Sequence, residues 1–154
     1  MLAAAKSDLM ATLMTNRTAL GVYPPKEYIN LLNDAFMSIA PPGLNRINPM
    51  MCGTCANEGA MKTAFAVYMK KKRGERFDFN ELELTSCMTN ESPGSPDLGI
   101  LSFKNGFHGR MLGALSTSRT APITKIDMPA FDWPAAEPPN YKYPFEKHLD
   151  YNHE

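Results

Sequence analysis

The chain has 154 residues, enough for one ordinary domain with its own core. It is 44% hydrophobic and 21% charged, and its 16 Lys plus Arg balance its 16 Asp plus Glu. That balance speaks against nucleic acid as a partner and against an acidic tail, and no run is long and apolar enough to span a membrane. The opening Met1-Leu2-Ala3-Ala4-Ala5-Lys6 lacks the basic region and long apolar run of a signal peptide, and it is not an Arg- and Ser-rich transit peptide.

Leu2 to Met14 is expected to form a helix, with Leu2, Lys6, Leu9, Met10, Leu13 and Met14 near one face. Asn16 to Pro25 reads as a connection, and Pro25 is suited to the first position of a second helix. In that helix Tyr28, Leu31, Leu32, Ala35, Phe36 and Ile39 recur at helical spacing until Pro41-Pro42-Gly43 stops it. Arg46 to Cys52 reads as a short strand, weakened by Asn48 and Pro49. Ala56 to Lys72 is the best-supported helix, with Met61, Ala64, Phe65, Tyr68 and Met69 on one apolar face. Glu58 near its start and Lys70-Lys71-Lys72-Arg73 at its end match the helix dipole, and Gly74 can end it.

Phe77 to Asn90 is compatible with helix or strand. Glu91 to Asp97 is a loop by composition, Ile100-Leu101-Ser102-Phe103 a buried strand, and Gly106-Phe107-His108-Gly109 a turn. Arg110 to Ser116 begins another helix. Residues 121–154 carry six prolines, from Pro122 to Pro144, and read as a Pro-rich irregular connection. The order predicts the front of an α/β domain, with helices over a mainly parallel sheet. Two or three strands are few for such a sheet, so the domain is expected to be incomplete.

Two stretches can carry chemistry. In Cys52-Gly53-Thr54-Cys55-Ala56-Asn57-Glu58, Gly53 allows close backbone approach, Thr54 offers a hydroxyl, and the following helix presents free N–H groups. A phosphate would fit; a simple N-cap is the plainer alternative. The three cysteines make no disulfide framework. Cys52 and Cys55 are open to four readings: a zinc site that would need Cys87, His108, His148 or His153, a redox pair, half of an iron–sulfur site completed by a second subunit, or two free thiols. In Phe103-Lys104-Asn105-Gly106-Phe107-His108-Gly109-Arg110, Phe107 can lie against a planar ring, His108 can orient a group beside it, and Arg110 can fork a carboxylate.

These two stretches together resemble the class III pyridoxal-phosphate-dependent aminotransferases. Pro49 to Ala60 is similar to their cofactor-phosphate loop, and Ile100 to Arg110 to the segment over the pyridoxal ring. Asn16 to Pro25 and Lys125 to Pro134 narrow the resemblance to the animal-type branch that acts on 4-aminobutyrate. The resemblance covers nearly the whole chain. It implies that residues 1–154 are an N-terminal part of a fold-type I large domain. Gly53, Thr54, Asn57, Phe107 and His108 would hold pyridoxal 5'-phosphate, and Arg110 would bind the substrate carboxylate. Cys52 and Cys55 would provide half of a [2Fe–2S] cluster shared across a homodimer.

The implied reaction passes the amino group of 4-aminobutyrate through the cofactor to 2-oxoglutarate, giving succinate semialdehyde and glutamate. The implied compartment is the mitochondrial matrix. The resemblance also marks what these residues lack. None of Lys6, Lys26, Lys62, Lys104, Lys125, Lys142 or Lys147 stands in the context of the lysine that binds the cofactor as a Schiff base. That lysine and the Asp that partners the pyridine nitrogen are expected beyond Glu154, so no catalytic residue is assigned and the 154 residues alone are expected to be inactive. The rival readings are a small stand-alone Cys-x-x-Cys metal or redox protein and an inactive chain that acts by pairing with a longer subunit.

Overall fold

The computed structural model describes residues 6–15, 24–76 and 78–153. The chain divides into two compact units, Met1–Met51 and Cys52–Glu154.

In the first unit, α1 spans Asp8–Thr15 and α2 spans Tyr28–Phe36, continued by a single 3₁₀ turn over Met37–Ile39. Leu2 and the segment from Asn16 to Tyr23 lie outside the described residues. Pro25 is not the first helical residue. Its carbonyl accepts the Tyr28 N–H at 3.0 Å, so it builds the turn that precedes α2. The expected stop is present: the Leu44 N–H closes on the Pro41 carbonyl at 3.1 Å, and Gly43 takes φ +88°. Leu31, Leu32 and Met37 are partly covered, whereas Phe36 and Ile39 face outward. The strand expected over Arg46 to Cys52 does not form. Residues 46–51 are irregular and exposed; Asn48 and Pro49 disfavour pairing, and among the described residues no strand pairs with them.

The second unit is organised by α3, Gly53–Lys72. It begins three residues earlier than the apolar pattern suggests, and the three lysines of its last turn meet the negative end of its dipole. Arg73 caps it and Gly74 follows at φ +70°. Its covered face runs through Thr54, Asn57, Glu58, Met61, Phe65 and Met69, while Ala64 and Tyr68 are exposed. Phe65 meets Trp133 edge-on at 5.9 Å, and Trp133 stacks on Phe131 at 4.7 Å.

The ambiguous stretch after Phe77 is helical. α4 covers Glu81–Ser86, with a 3₁₀ turn over Cys87–Thr89. A capping box decides it: Asn80 Oδ1 accepts the Glu83 N–H at 2.8 Å, and Glu83 Oε2 accepts the Asn80 N–H at 2.9 Å. β1 is Ser102–Phe103 and α5 is Leu112–Thr117. Ile100 and Leu101 are not part of the strand, the turn falls on Lys104 and Asn105, closed by the Gly106 N–H on the Phe103 carbonyl at 3.2 Å, and not on Gly106 to Gly109, and Arg110 precedes the helix instead of starting it. β2, Ala135–Ala136, lies in the Pro-rich tail and pairs with β1 in parallel, Ser102 against Ala135. β1, α5 and β2 thus form a small βαβ unit. The rest of the described tail holds two 3₁₀ turns, Pro122–Thr124 and Phe145–Lys147, and α6, Leu149–His153.

The buried centre of this unit is small and unusually polar. Ala114 and Leu115 are its buried apolar residues among those described, and Ser116, Thr117 and Ser118 are buried with them. Those hydroxyls are all engaged. Ser116 accepts the Phe131 N–H at 2.9 Å, and Thr117 donates to the Ala114 carbonyl at 2.9 Å.

Candidate functional site

The site starts at the N-terminus of α3. Cys52 is extended, with φ −159° and ψ 172°, and caps the helix with sulfur instead of oxygen. Its Sγ accepts the Cys55 N–H at 3.5 Å, and its carbonyl accepts the Ala56 N–H at 2.9 Å. Gly53 and Thr54 are the first two helical residues, so their N–H groups have no carbonyl one turn back to bind. A Cβ added to Gly53 would meet nothing within 4 Å, so the space before the helix is open. The positive end of a 20-residue helix, the N–H groups of its first turn and the Thr54 hydroxyl suit a phosphate monoester. No strand feeds into this turn, contrary to the strand-to-helix junction expected from sequence.

The second stretch is held directly against the first. Asn57 Nδ2 donates to the His108 carbonyl at 2.6 Å. Gly109, at φ +134°, packs on Thr54: a Cβ there would lie 2.5 Å from Thr54 Oγ1 and 2.8 Å from Thr54 Cβ. Glu58 Oε1 accepts the Ala114 N–H at 2.7 Å, and a Cβ on Gly113 would sit 2.8 Å from Glu58 Oε2. The close approach of the two segments therefore needs Gly109, while a side chain at Gly113 would displace the Glu58 carboxylate.

Ser118 locks the bend from behind. Its Oγ accepts the N–H groups of His108 at 2.9 Å and Gly109 at 3.3 Å. Its proton goes to the carbonyl of Gly109 at 3.1 Å or of Ala114 at 2.9 Å. His108 is half-buried, with Gly106 so close to its imidazole that an added Cβ would lie 2.9 Å from Nε2. Phe107 is 54% exposed, leaving its ring free to meet a planar ligand. Arg110 is also exposed, and its side chain makes no ion pair among the described residues.

Cys52 and Cys55 present their sulfurs 3.5 Å apart. The Cys55 N–H donates to Cys52 Sγ, and this bond, with the sulfur–sulfur contact beside it, holds the Cys52 thiol below the usual range. The Cys55 thiol is raised, chiefly by its hydrogen bond with the Cys52 sulfur. Met111 Sδ lies 3.8 Å from Cys55 Sγ. No group of three His, Cys, Asp or Glu that could hold a metal occurs among the described residues, so Cys87, His108, His148 and His153 do not complete a zinc site there.

Of the residues singled out from sequence, Cys52, Gly53, Thr54, Cys55 and Asn57 therefore share the start of α3, and the segment that carries Phe107, His108 and Arg110 is held against it, whereas Cys87, His148 and His153 do not join them. Sequence reasoning missed Glu58 as an acceptor for α5, Ser118 as the lock, Gly109 as the point of contact and Met111 as a third sulfur. Only the Gly-x-x-x-Gly spacing of Gly109 and Gly113 hints at close packing. A serine among Ser116, Thr117 and Ser118 carries no local signal.

The family described as aminotransferase class-III matches the chain over residues 1–154. The chain belongs to this family. It is 52% identical over 151 residues to the 4-aminobutyrate aminotransferase of Dictyostelium discoideum, covering 98% of this chain and 30% of that protein. Similarity to the 4-aminobutyrate aminotransferase of Mycosarcoma maydis is 48% over 154 residues, covering 100% of this chain and 30% of the relative. The mitochondrial 4-aminobutyrate aminotransferase of Homo sapiens is 46% identical over 142 residues, covering 92% of this chain and 28% of the human protein. The chain thus spans about 30% of the length of the curated relatives it matches.

Proposed function

We propose that these residues are an N-terminal part of the large domain of a fold-type I, pyridoxal-phosphate-dependent aminotransferase, and that they form one wall of its cofactor site. The observation that carries this is the contact of Gly109 on Thr54, with the Asn57–His108 bond beside it. It joins a phosphate-type helix terminus to a segment bearing an exposed aromatic ring.

When bound, pyridoxal 5'-phosphate supplies an electron sink for the carbon that bears the substrate amino group. The chain's own residues do the positioning. Gly53 and Thr54 offer two N–H groups and a hydroxyl to the phosphate. Asn57 fixes the backbone at His108, so that Phe107 can cover one face of the ring and exclude water from it. His108 stands beside that face. Arg110 offers a planar, permanently charged fork for a substrate carboxylate.

The substrate pair we assign is 4-aminobutyrate and 2-oxoglutarate, the first supported by the names of the relatives at 46–52% identity. Both carry the carboxylate that Arg110 would recognise. We assign the working unit as a homodimer in the mitochondrial matrix; the word mitochondrial in the names of the mammalian relatives supports the organelle. In that dimer Cys52 and Cys55 would be half of the ligand set of a [2Fe–2S] cluster. Their 3.5 Å separation is compatible with two thiolates on one tetrahedral metal, which at a metal–sulfur distance of about 2.3 Å stand roughly 3.8 Å apart.

The test is an assay of the protein isolated from its native source and supplied with pyridoxal phosphate. Glutamate should form from 2-oxoglutarate only when 4-aminobutyrate or a close ω-amino acid is present. Absence of amino transfer from every ω-amino acid tried would overturn the assignment.

A further inference from the structure

Arg110 is exposed, lies in a bend outside any regular element, and makes no ion pair among the described residues. Its place is therefore set by its backbone, and that backbone is tied down on both sides. One residue earlier, Gly109 packs on Thr54, where an added Cβ would lie 2.5 Å from Thr54 Oγ1. Four residues later, the Ala114 N–H donates to Glu58 Oε1 at 2.7 Å. Thr54 and Glu58 are themselves four apart in α3, so they are neighbours on one helix face. A single turn of α3, about 6 Å long, spans the two anchors.

Glu58 does for α5 what the residues of α5 do not. Met111, at the N-cap, offers no side-chain cap. The Ala114 N–H belongs to the first turn of α5 and finds its acceptor on α3 instead. A carboxylate there also meets the positive end of the short helix. Gly113 is buried and presses on the same group: an added Cβ would lie 2.8 Å from Glu58 Oε2 and 2.9 Å from Oε1. The carboxylate is held by a hydrogen bond at Ala114 and by bare backbone at Gly113.

We infer that Glu58 is a positioning residue for the substrate: by capping α5 across the gap from α3, it sets the Arg110 fork at a fixed distance from the phosphate end of the site and so favours substrates that carry a carboxylate. The inference rests on the aminotransferase reading of the site and adds to it a residue that acts through the backbone from Ala114 to Arg110, not on the substrate itself. Thr54 and Asn57 keep their own links, to Gly109 and to the His108 carbonyl, so the two ends of the site respond separately to loss of the Glu58 carboxylate.

The experiment is steady-state kinetics of the full-length protein with 4-aminobutyrate and 2-oxoglutarate, beside its affinity for pyridoxal 5'-phosphate read by absorbance. Glu58→Ala should raise KM for both substrates about tenfold and leave kcat and cofactor affinity within about twofold. Glu58→Gln keeps an oxygen acceptor for the Ala114 N–H and should keep KM near the wild-type value. Gly113→Ala displaces the carboxylate without removing it and should reproduce the KM defect, so the test does not hang on the folding of Glu58→Ala. A merely structural role would lower the thermal midpoint and the active fraction, and kcat with them, and leave KM as it is. An unchanged KM in either alanine variant, beside a wild type that transfers amino groups, overturns this inference alone. A wild type that accepts no ω-amino acid overturns the aminotransferase reading and this inference with it.

Discussion

Gly109 decides whether the two halves of the site can touch. Its φ of +134° suits glycine, and its missing side chain leaves room for Thr54. Gly109→Ala adds backbone strain and pushes a methyl group to 2.5 Å from Thr54 Oγ1. The two effects together should cost about 2–4 kcal/mol, read as a lowered midpoint in denaturant unfolding. Cys52 offers a second test at the same scale. Its thiol lies below the usual range because the Cys55 N–H donates to it and the Cys55 sulfur lies beside it. The charged form is the thiolate, so a lowered value keeps Cys52 reactive to lower pH than an ordinary thiol. Alkylation followed by mass spectrometry should modify Cys52 ahead of Cys55, with a midpoint below that of a simple thiol. Preferential modification of Cys55 would reverse the assigned direction.

Between α3 and α5 the site is held by a few buried polar contacts and very little apolar packing. Ser118 is 1% exposed and serves two N–H groups, those of His108 and Gly109. Ser118→Ala leaves both without their acceptor and should destabilise the unit by about 2–4 kcal/mol. Hydrogen exchange at His108 and Gly109 should quicken, while the middle of α3 stays protected. The elements differ in how much of them could be read from sequence. α3 was legible because a long regular pattern ends in a basic cluster and a glycine. α4 looked ambiguous because Leu82 and Leu84 alternate like a strand, yet Asn80 and Glu83 already had capping-box spacing. The strand expected at Arg46 to Cys52 failed for want of a partner, and β2 was missed for the opposite reason. Two alanines between Pro134 and Glu137 have no strand propensity of their own; pairing with Ser102 and Phe103 makes them a strand. The chemical groups of the site were legible by type and order. Their supports, Glu58 and Ser118, were not, because tertiary contacts give them their role.

At the scale of the whole molecule, the chain leaves much apolar surface uncovered. Phe36, Ile39, Tyr68, Leu101 and Ile123 are among the large side chains that face outward. With a formal net charge of zero, little electrostatic repulsion opposes association. The 154-residue chain should therefore bind a hydrophobic dye strongly and elute in light-scattering chromatography as species larger than 17.1 kDa at micromolar concentration. A dye-silent monomer would show that these faces are covered in solution. On the aminotransferase assignment, such faces would be closed by the remainder of the large domain and by the second subunit. The central claim is narrower: the start of α3 and the Phe107–Arg110 segment form one wall of a pyridoxal-phosphate site. The most direct measurement is a titration of the ¹⁵N-labelled 154-residue chain with pyridoxal 5'-phosphate, followed by amide NMR beside a parallel titration with pyridoxal. The phosphorylated ligand should shift the Gly53 and Thr54 amides together with those of Phe107 and His108, and pyridoxal should leave Gly53 and Thr54 unmoved. Equal shifts with both ligands, or shifts that miss Gly53 and Thr54, would contradict the account.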